Sequence, residues 1–497
     1  MKILLIHPNN YSQRYVSVGI ASISAVLKKS GHIVKYFDTS RYKNSTEALN
    51  TFTLKDQQKK MEEVLQFIPV ELPPIISAGE SVHDSLHSAV RSFQPELIGF
   101  TATSSDFLQV ISIVNTIKEY HIPIIVGGAH ATVAPIETLS IDGIDMVCVG
   151  EGEEAILELA NSIESGQKRT DIKNIYFKSE EQIVTNNVRP YTSLEKLPFP
   201  DLDIFDDFHH IGAYQGNQVK YGRFETARGC PYKCSYCINS SLHSLYKLEK
   251  RHVRFKSPDR IIAELKSGLD KIGFDIVRFV DETFTASSIK RLSEFVDLYR
   301  CEINKPMIIA TRPERVSREI MSIIRKAHPN IQITMGIESG SETIRKNICN
   351  RHMSNRTIIE AYRICHEYGF HTASFNMVGL PDETRNDFFK TIELNREAKV
   401  HQPMLSYFYP FPGTKLREYC INKNYFDEGH HEIDYAVSSV LKMPKFPKVE
   451  IEGLKRTFVM YVKMDRTFFP EIQKAEQNDN TFKSLTRVYN SKFLSKK

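Results

Sequence analysis

Ala227-Arg-Gly-Cys-Pro-Tyr-Lys-Cys-Ser-Tyr-Cys-Ile-Asn239 places Cys230, Cys234 and Cys237 within eight residues. A loop this short can set three thiolates at three corners of a four-iron four-sulfur cluster, and no fourth cysteine follows nearby to close the last corner. One iron of such a cluster stays open to an outside ligand. The competing reading is structural zinc, which closes four ligands, commonly as two separated cysteine pairs. His243 is the only nearby candidate for a fourth ligand, and C-x3-C-x2-C matches no common zinc pattern.

Around this loop the chain alternates apolar runs with helix-length segments, and each run ends in polar residues. Tyr221 to Ala227 leads into the cysteines, Ile276 to Val280 ends in Asp281-Glu-Thr-Phe284, and Met307 to Ala310 ends in Thr311-Arg-Pro-Glu314. Ile331 to Ile337 ends in Glu338-Ser-Gly-Ser341, Ser374 to Met377 in Val378-Gly-Leu-Pro-Asp-Glu383, and Met404 to Tyr409 in Pro410-Phe-Pro-Gly-Thr414. Six such units predict a partial (β/α)6 TIM-type barrel over 214–415, whose active site gathers at the carboxyl ends of the strands. An isolated Asp-Glu pair is most often surface charge; Cys, Asp, Glu and Arg at six consecutive strand ends are not readily explained that way.

Upstream, residues 1–165 alternate in the same way. Strands are expected at Lys2 to His7, Ile33 to Phe37, Leu97 to Thr101, Ile122 to Val126 and Met146 to Val149, with a helix from Val18 to Ser30 and a helical piece near Lys55 to Phe67. Five strands with intervening helices predict flavodoxin-like (Rossmann-type) winding, where ligands bind beyond the carboxyl ends of the strands. Those ends carry Thr101-Ala-Thr-Ser-Ser-Asp106, Gly127-Gly-Ala-His-Ala-Thr132 and Gly150-Glu-Gly-Glu153. Each alone could be ordinary strand-to-helix punctuation; their joint placement is more specific. Closely spaced prolines make 166–213 a connector with a small hairpin at Asn174 to Val188, and 416–497 reads as a helical extension.

The composition, 41% apolar and 25% charged over 497 residues, is that of an ordinary soluble protein long enough for several domains. A net charge of +5 gives little support for nucleic acid as a partner. No run approaches the roughly 18 apolar residues of a membrane span, and the amino terminus lacks a signal-peptide core. A reducing cytoplasm is the expected compartment. The other cysteines, Cys148, Cys301, Cys349, Cys365 and Cys420, are scattered and imply no disulfide framework.

The cysteine spacing, with Tyr236 just before the last thiol, resembles the signature of the radical S-adenosylmethionine (SAM) superfamily. The first domain, with Asn9, Val18 and Gly19 after its first strand, resembles the cobalamin-binding domain of the cobalamin-dependent radical SAM enzymes. That resemblance implies a four-iron four-sulfur cluster on Cys230, Cys234 and Cys237, with SAM on the open iron. It places Asp281 and Glu282 at the SAM amino group, Arg312 at its carboxylate, Glu338 and Ser339 at the ribose, and Tyr236, Met377, Val378 and Gly379 along the adenine. The family's usual Gly-Gly-Glu tripeptide is absent at Asp281. Cobalamin is implied around Asn9, Val18, Gly19, Thr101, Thr103, Ser104, Gly127, Gly128, His130, Gly150 and Glu151. The first domain lacks the Asp-x-His-x-x-Gly motif, so no histidine is expected on cobalt, and His130 is expected to hydrogen-bond or to support structure.

The implied activity is methylation of an unactivated carbon in a small-molecule or peptide substrate, with an electron donor such as flavodoxin or ferredoxin. A cyclisation, ring contraction or other radical rearrangement fits the same scaffold. A non-catalytic cobalamin or metal-binding regulator is the reading from another class, and the intact cysteine set with its polar rim argues against it.

Overall fold

The structure, a computed structural model, describes residues 1–9, 14–42, 70, 72, 81–179, 182–246, 253–427 and 438–494. The helical piece expected near Lys55 to Phe67 lies outside them. Among the described residues no helix is long and apolar enough to cross a membrane.

Ile3, Leu4 and Ile6 are fully buried, as continuous apolar strands covered on both faces must be. They belong to β1 (Lys2–His7), which with β2 (Ile33–Asp38), β3 (Leu97–Thr101), β4 (Ile124–Gly127) and β5 (Met146–Cys148) forms a parallel sheet in the order β2-β1-β3-β4-β5. This is the flavodoxin-like winding. The helix Val18–Lys29 opens at Ser17, whose Oγ accepts the Ile20 N–H at 3.3 Å. Two further strands, β6 (Ile175–Lys178) and β7 (Ile183–Val184), run antiparallel and extend the same sheet. The segment read as a connector therefore supplies two strands to the first domain.

A second sheet begins with β8 (Ile211–Tyr214), an antiparallel edge missed from the sequence, paired with β9 (Asn217–Phe224). The run expected to continue from Tyr221 to Ala227 breaks at Glu225 and Thr226. The next two residues form β10 (Ala227–Arg228), antiparallel to β11 (Arg254–Phe255). Five more parallel strands follow, β12 (Ile276–Phe279), β13 (Met307–Thr311), β14 (Ile331–Glu338), β15 (His371–Val378) and β16 (Gln402–Tyr407), in the order β16-β15-β14-β13-β12-β9-β8. The two edge strands are not bonded to each other, so the barrel is incomplete.

Alternation assigns the faces. Gly222 and Phe224 face outward: a Cβ on Gly222 would lie 2.7 Å from Phe274, and Phe224 packs on Gly268 of the helix Pro258–Ile272. Tyr221 and Arg223 therefore face the lumen. Tyr214, Tyr221, Ile276 and Ile308 pack together as its floor. In the next layer Arg278 and Phe375 are exposed and Ala310 and Met404 half-buried, so a lumen that side chains fill in a closed barrel is here a cavity.

The C-terminal helices Lys448–Lys463, Phe469–Ala475 and Asp479–Tyr489 share a core with Val378, Leu380 and Phe388. The first of them covers the edge strand β16, which would otherwise be open to pairing with another chain.

Gly340, beyond β14, lies against the helix Arg385–Glu397 so closely that a Cβ would stand 2.1 Å from the Lys390 carbonyl oxygen. Neither backbone can give way easily. Gly340→Ala is expected to destabilise the fold by about 1–3 kcal/mol, read as a lower urea midpoint; an unchanged midpoint would contradict this close approach.

Candidate active site

The break after β9 turns the chain into the cysteine loop at the barrel's carboxyl rim. Each thiol there has a polar neighbour from a different element. Arg312 Nη1 lies 3.2 Å from Cys234 Sγ, Thr283 Oγ1 3.7 Å from Cys230 Sγ, and Asn239 Nδ2 3.6 Å from Cys237 Sγ. Burial pushes the Cys230 thiol up and the Cys237 thiol to about 11. Iron would deprotonate such thiols outright, and donors beside the sulfurs tune a cluster's potential. His243, the possible fourth zinc ligand, donates from Nε2 to the Cys230 carbonyl oxygen at 3.0 Å and so braces the loop.

Two arginines flank Cys234. Arg312 stacks over Tyr232 at 3.7 Å and pairs with Glu314 at 2.6 Å. Arg351, buried, reaches Cys234 Sγ at 4.0 Å, donates to the Tyr236 hydroxyl at 3.3 Å, and pairs with Glu338 at 3.5 Å. Glu338 thus joins the group at the end of β14. No spacing rule singled out Arg351, because it follows a short helix rather than a strand.

The two acidic residues after β12 differ. Glu282 is solvent-accessible yet hemmed in: desolvation and Glu225 push its carboxyl up, and the nearby Asn239 side chain opposes that rise. That is the position of a side chain lining a cavity. Asp281 is buried and accepts both the Thr226 N–H, at 3.0 Å, and the Thr226 hydroxyl, at 2.6 Å. Its task differs from the one expected: it pins the break after β9 instead of facing the rim. Ser339 departs in the same way, being fully buried with its Oγ accepting the Ser341 N–H at 3.3 Å. Val378 is buried in the core, so its backbone rather than its side chain is available to the rim; Met377 is half-buried on the lumen side. Gly379 donates its N–H to Glu383 at 2.8 Å.

The carboxyl ends of the first sheet face the same region. Thr103 and Gly19 are exposed, and Val18, Thr101, Gly127, Gly128, Gly150 and Glu151 are half-buried. Gly128 has φ +97°, and a Cβ there would lie 2.7 Å from the Ala102 carbonyl oxygen, so only glycine lets these two loops approach. His130 is buried, with Nδ1 3.0 Å from Ser104 Oγ and its ring stacked on Phe107 at 3.9 Å. Asn9 is buried too, donating to Asp38 at 2.8 Å.

Arg228 joins the two domains. It stands two residues before Cys230, on β10, and contacts Glu225 at 2.9 Å, Glu153 at 2.8 Å and Glu151 at 3.5 Å. Glu151 also binds Arg254 and accepts the Thr192 N–H at 3.3 Å. Although burial opposes its charge, Arg228 holds the Glu153 carboxyl below its usual range.

Residues 224–394 match the radical SAM superfamily and residues 66–160 the B12 binding domain. The chain belongs to the cobalamin-dependent radical SAM enzymes. An uncharacterized methyltransferase of Pyrococcus horikoshii is 26% identical over 372 residues, covering 74% of this chain and 78% of that protein. An anaerobic magnesium-protoporphyrin IX monomethyl ester cyclase of Cereibacter sphaeroides is 24% identical, covering 84% and 63%. The radical SAM methyltransferase TsrM from Kitasatospora setae, solved with cobalamin and a [4Fe-4S] cluster, shares the fold with a TM-score of 0.63 at 15% identity, covering 85% of this chain and 78% of its own.

The residues present fit both groups of the family. Three thiols with polar donors suit the cluster, and the B12-binding domain offers a solvent-accessible rim of glycines and threonines at its strand ends. The pattern Asp-x-His-x-x-Gly does occur outside the first domain, at Asp207-Phe-His-His-Ile-Gly212. Its His209 is fully buried, with Nε2 2.8 Å from Asp38 and Nδ1 3.1 Å from the Asp206 carbonyl oxygen, so both ring nitrogens are engaged within the protein.

Arg228→Ala leaves the buried Glu153 carboxylate without its cation and is expected to cost about 3–5 kcal/mol of stability, with partial recovery in Arg228→Lys, both read by denaturant unfolding. Asp281 gives a pH test. Burial, with Glu225 and Glu282, raises its carboxyl to about 7. The stability it contributes is full below the unfolded value of about 3.9 and is lost as pH rises through the folded value. Asp281→Asn is therefore expected to gain stability relative to the native enzyme progressively between about pH 4 and about pH 7 and to level off above that; a pH-independent difference would contradict this.

Proposed function

We propose that the chain methylates an unactivated carbon of a small molecule or peptide. The observation that carries the reading is the joining of two rims, the cysteine loop of the radical SAM domain and the loops of the B12-binding domain, through Arg228. When bound, the cluster and SAM supply a carbon-centred radical and cobalamin supplies the methyl group.

The chain's own residues bind, orient and shield. Cys230, Cys234 and Cys237 hold the cluster, and Glu282 at the cavity wall accepts the SAM ammonium. Arg312 already combines a sulfur contact with a carboxylate partner, and exchanging Glu314 for the SAM carboxylate keeps its two-pronged geometry. Glu338 takes the ribose hydroxyls, while Tyr236, Met377 and the backbone at Val378 and Gly379 border the adenine. Gly127, Gly128, Gly150, Thr101 and Thr103 face cobalamin, with Ser104, His130 and Asn9 supporting those loops from within. Holding substrate and methyl donor in one cavity converts an improbable encounter into an ordered one. The one-electron donor is a small redox protein such as flavodoxin or ferredoxin, and the reducing cytoplasm suits eight free cysteines.

The cyclase relative supports a second reading, in which radical rearrangement occurs without methyl transfer. SAM labelled in its methyl group separates the two. Label is expected in the product of the native enzyme under reducing conditions, and an unlabelled product would transfer the assignment to the rearrangement. With all three cluster cysteines changed to alanine, deoxyadenosine formation is expected to vanish; its persistence would refute the cluster assignment.

A further inference from the structure

Arginines at the rim are matched by carboxylates: Arg228 by Glu153 and Glu225, Arg312 by Glu314, and Arg351 by Glu338. A second pair, deeper in the barrel, is not. Arg223 on β9 and Arg278 on β12 are direct partners in the register of the two strands and point into the lumen, one layer above the Tyr221 and Ile276 floor. Adjacent strands are about 4.8 Å apart, and like charges directly opposite on one face repel.

The guanidinium of Arg223 donates to main-chain oxygens, from Nη1 to His209 at 3.2 Å and from Nη2 to Arg14 at 3.3 Å. It lies 5.8 Å from the Tyr15 ring and 5.3 Å from the Tyr221 ring. Burial and the charge of Arg278 lower it to about 10, so it remains a cation at neutral pH. Among the described residues no carboxylate pairs with it. Arg278 is exposed to the cavity and has no hydrogen-bond or ion-pair partner among the described residues. Two guanidinium groups without a carboxylate partner among the described residues, on adjacent strands of a cavity wall, suit an anion between them.

We propose that Arg223 and Arg278 form the subsite that recognises the substrate, and that the substrate carries an oxyanion, either a carboxylate or a phosphoryl or phosphonyl group. Planar guanidinium forks match both geometries with paired hydrogen bonds. Arg278 is the penultimate residue of β12 and lies three residues before Asp281, at the head of the rim loop, at most about 10 Å along extended chain. The substrate is therefore anchored by its anion near the floor, with its reacting carbon lifted to the rim. The pair is separate from the sulfur-contacting Arg312, to which the SAM carboxylate is assigned.

The test is calorimetric titration of succinate and, separately, methylphosphonate into cluster-reconstituted, cobalamin-loaded enzyme, at ionic strength held constant with chloride. Native enzyme is expected to bind one or both probes at least tenfold more tightly than Arg278→Gln. Arg278→Lys is expected to recover part of the loss, and the probe that binds names the group. Iron content, SAM binding and cobalamin retention are expected to be equal in native enzyme and Arg278→Gln. Equal probe affinities, or no binding by either protein, overturn the proposal; so does loss of SAM or cobalamin by the variant, which would assign the pair to a cofactor. The proposal rests on the lumen being the reaction cavity of the function above. Because no reductant is added, failure of methyl transfer and failure of anion binding are read separately.

Discussion

The arrangement of the two domains depends on one half-buried cation. Arg228 sits on a two-residue strand between the end of β9 and the first cluster cysteine, and it contacts carboxylates from both domains. The buried Glu153 carboxylate is strongly destabilised when its cation is removed, so each of these contacts constrains the others. The loop bearing the thiols cannot shift without disturbing Glu151 and Glu153 at the end of the first sheet. Two cofactor rims built on separate sheets are thereby held as one wall.

The barrel rim extends this logic. The contacts that settle the cysteine loop come from elements far away in sequence: Thr283 beyond β12, Arg312 beyond β13 and Arg351 beyond β14. Asp281 belongs to the same support, because by accepting two hydrogen bonds from Thr226 it fixes the break that turns the chain into the loop. A side chain so engaged is a brace for the site rather than a contact within it.

Much of this was legible in the sequence, for identifiable reasons. Apolar runs such as Ile3–Ile6 announce parallel strands because both faces are covered, and the cysteine spacing speaks for itself. The alternation of Tyr221, Gly222, Arg223 and Phe224 contains the lumen-facing arginine, but assigning faces required the contact of Phe224 with Gly268. Asp281 and Glu282 are adjacent and chemically alike, so sequence placed both at the cofactor; one points to Thr226 and the other to the cavity. Arg228 lies within the cysteine-bearing stretch itself, yet its partners in the first domain are 75 or more residues upstream and no local pattern reveals them. The antiparallel strand β8 was missed because four residues at the end of a proline-rich connector carry too little periodicity to read.

The depth of the arginine pair bears on turnover as well as recognition. A charge anchored at most about 10 Å below the rim does not distinguish a molecule that has reacted from one that has not, since the anion is the same in both. Uniform binding of this kind lowers the free energy of every bound state alike and adds nothing to the chemical step. Expulsion of the finished molecule must then come from the rim, where the added group crowds the wall formed by the two domains.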